Sequence, residues 1–89
     1  MPITYVTIQQ FCTFHQCDTV IIEEFLEHGI VKVHLQNDLV VIPEPEVPRL
    51  ERAYRLHADL GVNAAGIDII LNLLDRLEGE RFMAIEDID

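Results

Sequence analysis

The chain contains no serine and no tryptophan, and only one lysine. Its first 31 residues hold neither Lys nor Arg; the basic residues are Lys32, Arg49, Arg52, Arg55, Arg76 and Arg81. Without serine there is no Gly-x-Ser-x-Gly nucleophile, and no Gly-rich phosphate loop, His-Glu-x-x-His or EF-hand pattern occurs. His15, His28, His34 and His57 are scattered and offer no focused general base. An enzyme is therefore not expected, and no catalytic residue or cofactor is assigned. No charged segment followed by an apolar one opens the chain, and no apolar run nears the roughly 20 residues that span a bilayer. The expectation is a cytoplasmic protein without a signal peptide.

Basic charge is scarce, with 16 Asp and Glu against 6 Lys and Arg, for a formal charge of −10. That disfavours nucleic acid and anionic membrane surfaces and favours a basic partner. Solubility alone is the plainer alternative. A hydrophobic content of 49% over 89 residues builds one small domain, residues 1–89, and argues against disorder. Cysteine is also sparse. Cys12, His15 and Cys17 form a C-x-x-H-x-C group, but structural zinc takes four ligands at other spacings and no second cluster follows. No metal ligand is assigned; the two cysteines read as small reduced thiols.

What is present begins with Thr7–Val31, which reads as two short helices across a tight turn. Thr7-Ile8-Gln9-Gln10 has the capping-box pattern, in which the Thr hydroxyl and the Gln side chain satisfy each other's backbone NH. The first helix runs to about His15, and Gln16-Cys17 turns the chain. Asp18 caps a second helix over Thr19–His28, which Gly29 ends. Such a pair is a helix-turn-helix, whose second helix reads bases in DNA-binding versions. Here Ile22, Phe25, Leu26 and Gly29 share the inner face, while Val20, Glu23, Glu24 and Glu27 lie opposite. DNA affinity comes mainly from Lys and Arg on phosphates, so this acidic helix is repelled.

Ile3–Val6 is β-branched and predicts a first strand that pairs with a later hairpin. Ile30–Leu35 and Leu39–Ile42 predict that hairpin, turning at Asn37-Asp38, in the position of a wing. A third helix starts between Pro45 and Pro48 and stops at Gly61. Its Arg49, Arg52 and Arg55 are expected to pair with Glu46, Glu51 and Asp59. Asn63 caps a fourth helix from Ala64 to about Glu80, with Gly66 permitting close packing on the third. Ile67, Ile70, Leu71, Leu74 and Leu77 form an apolar stripe, widened by Ile69 and Leu73, and the five are read as a homodimer interface. Gly79 weakens continuation, and residues 84–89 read as an acidic tail. The fold class is mainly α with a small β-hairpin wing: a winged helix-turn-helix followed by two helices.

That element order resembles the MerR-like fold, and within it the CbpM family of chaperone modulators. The resemblance covers about residues 4–78. It rests on Ile8-Gln9-Gln10-Phe11-Cys12 and on Phe25-Leu26-Glu27-His28-Gly29-Ile30-Val31. Above all it rests on Arg52-Ala53-Tyr54-Arg55-Leu56-His57-Ala58-Asp59-Leu60, then Val62-Asn63-Ala64-Ala65-Gly66-Ile67 and Leu71-Asn72-Leu73-Leu74-Asp75. It implies binding to the J-domain of a CbpA/DnaJ-like co-chaperone and restraint of its work with Hsp70. Members often continue into a longer leucine-rich helix, whereas Gly79 and acidic residues follow here. The implied partner surface is basic. Val20, Glu23, Glu24 and Glu27 are the first candidates to meet it, with Asp68 and Asp75 on the fourth helix as second choice. The alternative is a DNA-binding MerR-type transcriptional regulator.

Overall fold

The structure, a computed structural model, describes residues 3–87, with side-chain surroundings through residue 79. Strand β1 (Tyr5–Thr7) leads directly into α1 (Ile8–His15), and α2 (Thr19–Glu27) follows across a short turn. The hairpin is β2 (His34–Gln36) and β3 (Leu39–Pro43). A 3-10 turn (Glu44–Glu46) enters α3 (Val47–Leu60), and α4 (Ala64–Asp87) completes the described chain.

Local chemistry sets most of these boundaries. Gln10 N donates to Thr7 Oγ1 at 3.0 Å, and Thr7 N donates back to Gln10 Oε1 at 2.9 Å, so the capping box is complete. Asp18 caps α2 by accepting from Val20 N at 2.9 Å. At the other end Gly29 takes φ 70°, its NH bonds to Leu26 O, and Ile30 N reaches Phe25 O. These two bonds are a Schellman motif, with buried Ile30 folded back toward buried Phe25. Asn63 caps α4 through Gly66 N at 2.8 Å.

The three strands are antiparallel in the order β1-β3-β2. Val6 faces Ile42 on one side of β3, and Leu35 faces Val40 on the other. Asn37 and Asp38 both hold positive φ, 51° and 65°, as a two-residue hairpin turn compatible with strand twist requires. The core joins Phe11 and Cys12 of α1, Ile22 and Phe25 of α2, Ile30, Val31 and Ile42 with Leu50 and Ala53 of α3 and Ala64, Ile67 and Leu71 of α4. One apolar side of every helix thus meets in a single cluster, and the outer side of α2 is left exposed, with part of it facing the hairpin.

Several expectations shift. The hairpin's first strand begins at His34, not Ile30, because Ile30 and Val31 drop into the core and Lys32 N donates to Glu46 Oε1 at 2.8 Å. Two of the three arginines of α3 find partners on α4, not on α3: Arg49 meets Asp75 at 2.9 Å and Arg52 meets Glu78 at 3.7 Å. A Cβ on Gly66 would lie 2.8 Å from Val62 Cγ1 and 3.2 Å from Asn63 Oδ1, so the close approach is to the α3–α4 joint rather than to α3. Helix α4 passes Gly79 and continues to Asp87. One exposed glycine costs about 1 kcal/mol in a helix, which flanking Leu, Glu and Arg offset. Residues 84–87 of the expected tail therefore lie in α4, and 88–89 lie outside the described residues.

The dimer stripe is corrected most. Ile67 and Leu71 are 0% and 1% exposed, so they belong to the core of the single chain. Ile70 and Leu74 are half-buried, and of the five only Leu77 is exposed. The outward apolar row on α4 is instead Ile69, Leu73 and Leu77, spaced one turn apart.

Candidate functional site

The outer side of α2 is built by its inner one. Once Ile22 and Phe25 point into the core, the helical repeat turns Val20, Glu23, Glu24 and Glu27 to solvent, and all four are exposed. They do not form one surface, however. Glu23 and Glu27 face the hairpin across an open groove of about 820 Å³, while Val20 and Glu24 lie outside it. On the α2 side the groove is lined by Thr19, Glu23, Leu26 and Glu27, and on the hairpin side by Val33, Asp38, Leu39 and Val40. Thr7, Ile8 and Gln9, where β1 passes into α1, complete the lining. The floor is apolar, and every ionisable group on the rim is a carboxylate.

Asp68 and Asp75 do not line this groove. Asp68 accepts from Asn72 Nδ2 at 3.2 Å. Asp75 is a clamp: both its oxygens accept from Arg49 Nη1, at 3.0 and 2.9 Å, while Arg49 Nε donates to Ile30 O at 2.6 Å. This arrangement ties α4 and α3 to the exit of α2, which makes Asp75 a structural carboxylate.

The hairpin wall was not identified from sequence. Val31, Val33 and Leu35 alternate with Lys32 and His34, so a strand was legible. Which face of that strand meets α2 depends on how β3 docks, and no local pattern encodes that.

Cys12 is buried and Cys17 half-buried, both are free thiols, and the Cys17 backbone NH donates to Cys12 O at 3.1 Å. Burial pushes the Cys12 thiol up to about 12, with the neighbouring Cys17 adding to the shift, and burial raises Cys17 as well. His15 is engaged elsewhere. Its Nε2 lies 3.2 Å from Glu51 Oε2 and its ring sits against Phe11 with centroids 4.3 Å apart. Among the described residues, no group of three or more His, Cys, Asp or Glu is gathered as a metal site requires. No described helix is long and apolar enough to cross a membrane.

A helix-turn-helix packed against a three-stranded sheet, with a hairpin flanking the second helix, is the frame of a winged regulatory domain. Residues 6–81 match the profile described as MerR HTH family regulatory protein. The chain belongs to the MerR HTH family. The match runs from β1 into α4, so it covers both walls of the groove. No curated protein matches the sequence. In this MerR-family chain α2 occupies the reading-helix position and the hairpin is the wing. The helix presents Glu23, Glu24 and Glu27 where a DNA reader needs neutral or basic side chains.

Proposed function

We propose that the protein is a chaperone modulator of the CbpM type, which binds the J-domain of a CbpA/DnaJ-like co-chaperone and inhibits its action with Hsp70. The observation that carries this reading is the outer side of α2, where three exposed carboxylates stand at helical spacing with no Lys or Arg anywhere in α1 or α2. The surface of a J-domain that engages Hsp70 is basic, and an acidic helix on a small domain is its electrostatic complement. Occupying that surface blocks Hsp70 by competition, and no catalysis is needed. The run from Arg52 to Ile67, which carries the resemblance most strongly, forms the second half of α3, the joint and the first turn of α4.

A transcriptional regulator is the second reading, favoured by membership of a regulatory helix-turn-helix family. The charge on α2 opposes it, since phosphate neutralisation supplies most of non-specific DNA affinity. Calorimetry against the co-chaperone's isolated J-domain separates the two. The parent should bind, with affinity falling as salt rises, and a folded Glu23→Lys, Glu24→Lys, Glu27→Lys variant should lose on the order of 2–5 kcal/mol. Submicromolar, salt-sensitive binding to promoter DNA in a gel shift, with none to the J-domain, would transfer the assignment to the regulator. Homodimerisation belongs to the same proposal, through exposed Ile69, Leu73 and Leu77. Light scattering should then report twice the chain mass for the parent and a monomer for Leu73→Asp.

A further inference from the structure

We propose that the groove between α2 and the hairpin seats a single amphipathic α-helix of the partner, with its apolar stripe on Leu26, Val33, Leu39 and Val40 and its flanking cations on Glu23, Glu27 and Asp38. This rests on the partner being the basic protein surface proposed above, and it specifies what that surface touches. Glu23 and Glu27 line the groove and make this contact; Glu24 and Val20, also exposed on the same helix, lie outside it.

Three features of the groove select a helix. First, the hairpin wall is uncovered within the chain, with Leu39 56% and Val33 38% exposed, so apolar surface faces the acidic rim with nothing between them. A stripe of apolar side chains bordered by cations satisfies both at once, and amphipathic helices dock in grooves this way. Second, Glu23 and Glu27 stand four residues apart, about 6 Å along the helix axis. A helix running alongside displays its i and i+4 side chains at that same repeat. Third, the other secondary-structure route is poor. Strands β1 and β2 are the edges of the sheet and span only three residues each, so an added strand would gain a short ladder and leave the α2 wall untouched. Nucleic acid is disfavoured by the rim itself, where each of the three charges would face a phosphate.

The test uses the whole protein, titrated with the J-domain and followed by calorimetry and by backbone amide shifts. Leu39 is largely exposed, so Leu39→Asp should fold, with circular dichroism as the control. It should weaken binding about tenfold or more, because it places an unpaired carboxylate under the partner's apolar stripe. Asp38→Asn keeps a residue suited to positive φ and removes a rim charge, and should weaken binding by about two- to fivefold. Asp59→Lys, the same charge reversal at an exposed carboxylate of α3 outside the groove, should stay within about threefold of the parent. If folded Leu39→Asp binds as tightly as the parent, the groove is not the seat, although the J-domain reading survives. If the parent does not bind the J-domain at all, that reading falls, and a synthetic Leu/Lys amphipathic helical peptide tests the groove alone. Shifts centred on Leu26, Val33, Leu39 and Val40 would support it. No shifts, or shifts confined to the β2 edge or to α4, would overturn it.

Discussion

Arg49→Met should destabilise the fold far more than Asp75→Ala, even though both changes break the same ion pair. Arg49 makes two kinds of contact: Nη1 to the Asp75 carboxylate at 2.9 Å, and Nε to Ile30 O at 2.6 Å. Its side chain is 25% exposed and that of Asp75 is 54% exposed, so solvent screens the pair and its worth is at most about 1 kcal/mol. The Ile30 bond is different. Ile30 itself is 1% exposed, at the point where the chain leaves α2 for the core, and a carbonyl there loses a charged donor. Leaving such a group short of a partner costs about 1–3 kcal/mol. Methionine keeps most of the apolar stem, so little packing is lost. The sum spans about 1–4 kcal/mol for Arg49→Met, with a middle value of about 2.5 kcal/mol, and is no more than about 1 kcal/mol for Asp75→Ala. At about 4–8 °C per kcal/mol for a domain of this size, Tm should fall by about 10–20 °C at the middle value in the first case and by less than about 8 °C in the second. Thermal and urea unfolding followed by circular dichroism at low and high salt measures both. High salt should erase the Asp75→Ala deficit and leave most of the Arg49→Met deficit, because screening acts on the exposed pair. Equal losses in the two variants, or an Arg49→Met loss that vanishes with salt, would refute the assignment of the stability to the carbonyl bond.

Two glycines of α4 should respond with opposite signs. Gly79→Ala meets nothing within 4 Å and should stabilise by up to about 1 kcal/mol, whereas Gly66→Ala drives a Cβ to 2.8 Å from stiff Val62 and should destabilise by about 1 kcal/mol; unfolding midpoints moving the same way would contradict this. The raised Cys12 thiol predicts alkaline sensitivity. Its ordinary value is 9.0 and its folded value about 12, so the folded chain holds the proton more tightly; that contribution is whole below pH 9.0 and is lost as pH climbs toward 12. Cys12→Ala should flatten the decline in stability across that window, and an unchanged slope would show that other groups cause it. In the native protein at pH 8, iodoacetamide should label Cys12 far more slowly than in urea, and equal rates would contradict its burial.

Residues close in sequence determined the element boundaries. The Thr7–Gln10 box, the Asp18 and Asn63 caps, the stops at Gly29 and Gly61 and the Asn37-Asp38 turn all act over a span of a few residues, and each reads directly from residue type. The acidic side of α2 was legible for the same reason, since a 3.6-residue repeat assigns faces once the apolar set is known. Contacts across the chain were not. Arg49 lies 19 residues from Ile30 and 26 from Asp75, and within α3 alone its nearest carboxylates looked equally good as partners. The α4 stripe was wider than one neighbour covers, and only packing against the rest of the core decided that Ile67 and Leu71 go inside while Ile69, Leu73 and Leu77 stay out. The groove depended on tertiary structure most of all. Each wall has a readable pattern, but their facing was decided by β3 pairing with β1, which docks the hairpin beside α2 and sets Leu39 and Asp38 opposite Glu23 and Glu27. Strand pairing between distant segments depends on the shape of the whole core, and no short stretch of chain contains that information.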